Sequence, residues 1–110
     1  MNAPTAPYLK TLVECHKKLM DDGYREDFAM EDESLKCLST EKKYNANEIS
    51  IVNFFRFEGQ TDPDDSSIMY VLETNDGKKG TLIDAYGAYS DPDISNFITS
   101  VESIQKKAAK

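Results

Sequence analysis

The sequence predicts an α+β fold: a two-layer sandwich in which an antiparallel sheet of about five strands carries the N- and C-terminal helices on one face. Three observations predict it. Apolar residues recur at helical spacing near both ends of the 110-residue chain. Between those ends, short runs alternate apolar and polar residues, as on strands with one buried face. Asn75-Asp76-Gly77-Lys78 separates two such runs and reads as a hairpin turn, because Asp-Gly tolerates the positive φ that tight hairpins need.

The first helix is expected from about Pro7 to Asp22, with Thr5 as its N-cap and Pro7 in its first turn. Leu9, Leu12, Val13, His16, Leu19 and Met20 form its stripe, and Gly23 stands where a helix-ending glycine belongs. Two short strands follow. Phe28 and Met30 mark the first, Leu35 and Cys37 the second, and Glu31-Asp32-Glu33-Ser34 turns between them. Ser39 to Glu48 is polar, with Asn45-Ala46-Asn47 as a breaker, and reads as a loop or one helical turn.

Ile49 to Phe57 reads as a strand whose buried face is Ile49, Ile51, Phe55 and Phe57. Val52 and Phe54 make its other face apolar too, which predicts a central strand or a face covered by a partner. Ser67 to Thr74 sets Ile68, Tyr70 and Leu72 against Met69 and Val71, and Thr81 to Tyr86 returns antiparallel between Gly80 and Gly87. The last helix opens with Asp91 as N-cap, Pro92 at its first position and Asp93 in its first turn. Ile94, Phe97, Ile98, Val101 and Ile104 are its stripe. The whole chain, 1–110, reads as a single domain, with residues 1–6 and 107–110 expected to be flexible.

Twenty acidic and 13 basic residues give a net charge of −7, which argues against nucleic acid as a partner. The basic tail Lys106-Lys107-Ala108-Ala109-Lys110 reads as a helix end that complements the macrodipole. No apolar run approaches the ~20 residues that span a bilayer, and the N-terminus lacks the basic and apolar regions of a secretory signal. A cytoplasmic protein with two reduced thiols, Cys15 and Cys37, is therefore expected, without membrane contact. Zinc is disfavoured because Cys15, His16 and Cys37 exhaust the soft ligands. No phosphate-binding glycine loop or nucleophile elbow is present, so no cofactor is expected and the balance is against an enzyme. The expected partner is a second copy or another protein, on the second sheet face around Val52, Phe54, Met69 and Val71.

The candidate ligand site centres on the loop from Gly59 to Ser67, which holds Asp62, Asp64 and Asp65. Asp62, Asp64, Ser66 and Glu73 fall at positions of a calcium-loop template, but Ser67 stands where that template needs glycine. A looser divalent-metal or small-ligand site from Asp62, Asp64 and Asp65 with Glu58 and Ser66 is one reading. The other is an Asx-turn loop that caps its own N–H groups. Asp84 lies inside a strand, where Asp is depleted, so it pairs across the sheet, faces water, or serves as an acid beside that loop with Tyr86 and Tyr89.

Arg56-Phe57-Glu58-Gly59 and Asp62-Pro63-Asp64-Asp65-Ser66-Ser67, followed by Tyr70, Gly80, Asp84-Ala85-Tyr86-Gly87 and Tyr89, carry a resemblance. With Tyr24 to Phe28, they resemble a family of bacterial proteins of roughly 100 residues, mainly from Bacteroidetes, with no established function. The resemblance implies little about activity. Some members bear the label phosphoribosylpyrophosphate synthetase, but Asp64-Asp65-Ser66-Ser67-Ile68 lacks the glycine that lets a backbone approach a phosphate.

Overall fold

In the computed structural model, which describes residues 12–57, 66–85 and 90–108, helix α1 (Leu12–Asp21) precedes six strands. These are β1 (Glu26–Glu31), β2 (Ser34–Cys37), β3 (Lys43–Tyr44), β4 (Ile49–Phe57), β5 (Ser67–Thr74) and β6 (Lys79–Ala85). A 3₁₀ turn (Ala46–Glu48) leads into β4, and helix α2 (Pro92–Ala108) follows β6. The expected N-cap Thr5 and the first turn at Pro7 lie outside the described residues.

α1 ends as its sequence dictates. Gly23 has φ of 104°. Its N–H reaches the carbonyl of Met20 at 3.1 Å, and the N–H of Tyr24 reaches that of Leu19 at 2.9 Å. This pair of bonds satisfies carbonyls that the helix end would leave open, and it needs a left-handed residue at Gly23. The stripe differs from the expected one. Cys15 is the buried residue, while Val13 is 73% and Met20 38% exposed.

The strands form one mixed sheet in the order β3-β2-β1-β6-β5-β4. Two antiparallel meanders, β1-β2-β3 and β4-β5-β6, join where β1 and β6 run parallel, pairing Glu26 with Gly80 and Asp27 with Thr81. The expected all-antiparallel sheet of about five strands is thus corrected to six strands with one parallel junction. Hairpin signals are local, and neither two-residue β3 nor the distant β1–β6 pairing leaves one. The junction requires Gly80: a Cβ there would lie 2.0 Å from the carbonyl oxygen of Glu26.

β4 carries an irregularity between Ile51 and Asn53 that leaves Val52 as the extra residue. A bulge flips the alternation of everything after it. Ile49 and Ile51 therefore share a face with Leu72, whereas Phe54 is the residue that pairs with Tyr70, its ring centroid 6.4 Å away. Phe55 pairs with Met69 on the opposite face. The expectation of one buried face from Ile49 through Phe57 fails for this reason. So does the grouping of Val52 and Phe54 with Met69 and Val71, which are 0% and 1% exposed.

α2 lies on the face of Phe28, Leu35, Cys37, Tyr44, Ile49, Leu72 and Leu82, and its Ile94, Phe97, Ile98 and Val101 complete that core. Burying each such aliphatic or aromatic side chain contributes about 1.5–3 kcal/mol. α1 lies on the other face. His16 Nε2 is 3.6 Å from Asp27 Oδ1, and Asp27 points away from Phe28 because neighbouring strand residues alternate. The two helices therefore sandwich the sheet in three layers, not two. Asp91 caps α2 as expected, its Oδ1 accepting from the N–H of Asp93 at 2.9 Å. No helix among the described residues is long and apolar enough to cross a membrane.

Candidate functional site

A concavity lies where three elements meet, a groove of about 330 Å³. One wall is α2, which turns Asp93, Asn96, Phe97 and Ser100 to it. Those positions follow the i, i+3, i+4, i+7 spacing of a single helix face. Asn45 and Ala46 form a second wall at the start of the 3₁₀ turn, and Glu33 of the β1–β2 turn forms the third. Phe97 is buried and supplies an apolar floor.

Local chemistry fixes the two turns. The N–H of Asn45 donates to Glu48 Oε1 at 2.7 Å, which ties down the first turn of the 3₁₀ segment. Asp32 and Glu33 both have positive φ, 55° and 66°. That is the conformation of a two-residue hairpin loop that usually contains glycine. Each costs roughly 1–2 kcal/mol in an L-residue, so packing on either side holds Glu33 at the groove.

The electrostatics are one-sided. The side chains of Glu33, Asp93 and Asn96 make no ion pair or hydrogen bond among the described residues, while Ser100 Oγ donates to the carbonyl of Asn96 at 3.1 Å. Two unpaired carboxylates therefore line the same groove. The N-terminal end of α2 offsets about half a unit of that charge, and the groove stays negative. It can accept a donor-rich cation whose stem lies against Phe97.

Of the residues expected to form a ligand site, Glu58, Asp62, Asp64, Asp65, Tyr86 and Tyr89 lie outside the described residues. Ser66 is half-buried at the entrance of β5. Asp84 is placed on the α2 side of β6, and its two oxygens accept from the N–H of Asp91 at 3.1 and 3.2 Å. Burial pushes its carboxyl above the ordinary value, the backbone N–H groups of Asp91 and Ala85 pull it back, and the Asp91 charge pushes it up again. Asp84 thus positions the residue that caps α2, and this contact offsets the cost of an Asp inside a strand.

Three other polar clusters are structural. Asp76, in the β5–β6 turn, accepts from the hydroxyls of Thr74 and Tyr44 and from Lys42 Nζ at 2.9 Å. It clasps the β2–β3 arm to the far hairpin, and those donors, Thr74 foremost, hold its carboxyl far below the usual range. Glu26 accepts from Ser39 Oγ at 2.5 Å and from Cys37 Sγ at 3.3 Å, and both bonds keep it ionised. Cys37 is fully buried, so this thiol is closed to substrates. Tyr24 donates to Glu73 at 2.9 Å, which raises its own pKa. Among the described residues no group of three or more His, Cys, Asp or Glu side chains could hold a metal ion.

Sequence reasoning placed Asp93 on α2 and Glu33 and Asn45 in turns without joining them. The signal available was the polar spacing Asp93, Asn96, Ser100 beside Phe97. Compared with protein-family models, curated proteins and solved structures, the chain matches none.

Proposed function

We propose that this chain is a small binding module rather than an enzyme, and that its groove receives a cationic group, the guanidinium or amine of a partner's side chain. The observation that carries this reading is the pair of unpaired carboxylates, Glu33 and Asp93, that line one groove together with the buried ring of Phe97. Exposed ion pairs are worth up to about 1 kcal/mol each, and burying part of an alkyl stem adds roughly as much per CH₂. A free small cation would therefore bind at about the millimolar level, near 4 kcal/mol. Useful affinity requires the cation to come attached to a larger surface, which favours a macromolecular partner over a metabolite.

Two further observations support a non-catalytic role. Asp84 spends its oxygens on the start of α2, and Cys37 is sealed in the core. The test is calorimetric titration with Nα-acetyl-arginine amide, with Nα-acetyl-leucine amide as the apolar control. Saturable millimolar binding that Glu33→Gln with Asp93→Asn weakens at least tenfold supports the reading. Binding that survives both substitutions overturns it.

A further inference from the structure

Two Asp-Gly pairs stand in the chain, Asp22-Gly23 and Asp76-Gly77. Both glycines have positive φ, 104° and 95°, so each turn needs its glycine. Both are exposed, and an added Cβ at either would meet nothing within 4 Å. The N–H of each donates to the carbonyl three residues back, Met20 or Thr74, at 3.1 Å. The backbone thus treats the two pairs alike, and their carboxylates differ. That of Asp76 accepts from the Tyr44 hydroxyl at 3.1 and 3.0 Å, from Lys42 Nζ at 2.9 Å and from the Thr74 hydroxyl. That of exposed Asp22 makes no hydrogen bond or ion pair among the described residues.

An Asp-Gly pair carries a latent reaction. The glycine nitrogen attacks Cγ of the aspartate, and an N–Cγ bond closes a five-membered imide ring. The proton of that nitrogen and the hydroxyl of the neutral acid leave as water. Water then adds at either ring carbonyl. Breaking the N–Cγ bond restores aspartate. Breaking the bond from nitrogen to the backbone carbonyl carbon leaves isoaspartate, with the main chain routed through Cβ and Cγ. No electrons are gained or lost, and the mass is unchanged. Glycine favours the ring because no side chain hinders it. The carboxyl must be able to turn to the nitrogen and to take up a proton. At Asp76 both oxygens are held, and their donors keep the group ionised. Having to break even one hydrogen bond to a carboxylate slows the step about tenfold.

We infer that Asp22 is a self-modification site of the folded chain, converting through the imide to isoaspartate, and that the clasp on Asp76 keeps the second pair unreacted. Conversion at Asp22 adds a methylene to the main chain between α1 and β1. The N–H groups of Gly23 and Tyr24 then lose their register with the carbonyls of Met20 and Leu19. The Met20 carbonyl also accepts from Arg25 Nε at 3.1 Å, and that contact is displaced with them. The carboxylate released sits at the C-terminal end of α1, where negative charge is disfavoured. The product therefore loosens the end of α1. The same change at Asp76 would part the β2–β3 arm from the β5–β6 hairpin, which the clasp joins.

The experiment is incubation of the folded chain at neutral pH in heavy-oxygen water, then digestion in ordinary water and fragment mass spectrometry. Each passage through the imide leaves a heavy oxygen on the reacted aspartate. Asp22 should gain label at least about tenfold faster than Asp76. In urea, where the clasp is gone, the two rates should converge. Lys42→Met with Thr74→Val removes two of the donors to Asp76 and keeps the Gly77 N–H bonded to the Thr74 position's carbonyl. That variant should label Asp76 at least about tenfold faster than the native chain does, with Asp22 unchanged. Should it fail to fold, the native chain still decides: an unlabelled Asp22, or equal labelling of the two sites, overturns the inference. So does a difference that persists in urea, or a folded variant whose Asp76 stays as slow as in the native chain.

Discussion

Gly80 is the residue on which the two halves of the sheet depend, and Gly80→Ala tests that dependence. The added Cβ would lie 2.0 Å from the oxygen and 2.6 Å from the carbon of the Glu26 carbonyl, and 2.8 Å from its Cβ. Real Cβ contacts are essentially never under 3.0 Å, so the strands must part by about an ångström. The parallel junction consists of two residue pairs, Glu26 with Gly80 and Asp27 with Thr81, and has no neighbouring pairs to absorb the shift. Losing about two backbone hydrogen bonds at about 1 kcal/mol each, with about 1–3 kcal/mol of overpacking, gives a loss of about 3–5 kcal/mol. A domain of this size holds about 5–15 kcal/mol in all. Urea unfolding followed by far-UV circular dichroism measures it, and a midpoint lower by about 1–3 M is expected. Gly77→Ala is the control. Gly77 has φ of 95° with nothing within 4 Å of an added Cβ, so it should lose only the roughly 1–2 kcal/mol of a left-handed alanine. A G80A loss under 1 kcal/mol, or one no larger than that of G77A, refutes the account of the junction.

Thr81 is 2% exposed and its Oγ1 has no hydrogen-bond partner among the described residues. Thr81→Val should therefore stabilise by about 1 kcal/mol in thermal or urea unfolding, and a loss of that size would show that the hydroxyl is satisfied. Asp76 titrates far below its ordinary 3.8 in the folded chain. A depressed carboxylate stabilises above its unfolded pKa, so this contribution is present at neutral pH and fades as pH falls below about 4. Asp76→Ala should lower the melting temperature at pH 7 and flatten its fall between pH 5 and pH 2, approximate limits set by that shift; an unchanged pH profile would contradict the clasp. Asp84 has the opposite sign. Its raised pKa favours the fold at low pH, an advantage lost as pH rises through the folded value. Asp84→Asn keeps an acceptor for the N–H of Asp91 and should melt no lower than the native chain at pH 7, whereas Asp84→Ala should melt lower; equal melting of the two variants would remove Asp84 from the capping of α2.

Much of the architecture was legible because its signals are local. Asp91, Pro92 and the stripe from Ile94 to Val101 define α2, Asp76-Gly77 defines the β5–β6 hairpin, and Gly23 ends α1 where its backbone requires. What escaped depends on distant partners. β1 and β6 meet in parallel only because Gly80 lets Glu26 approach, and nothing around Gly80 announces that partner. The bulge at Val52 was hidden by apolar residues on both parities of β4, which mimicked a central strand. Nor does the stripe of α1 say which face of the sheet it covers; the contact of His16 with Asp27 places it opposite α2. The same limit applied to the site. Asp93, Asn96 and Ser100 share a helical face visible in the sequence, but Glu33 and Asn45 reach the groove from turns that only the tertiary fold brings to it. The acidic loop from Asp62 to Asp65 lies outside the described residues, and its expected companion Asp84 is committed to α2.

The most direct test of a cation-binding groove is an amide NMR titration of isotopically labelled protein with Nα-acetyl-arginine amide. The groove account predicts saturable shifts at Glu33, Asn45, Ala46, Asn96 and Ser100, absent with the leucine analogue. Shifts confined to Ser66, Asp84 and the residues beside them, or no shift at millimolar ligand, would contradict it.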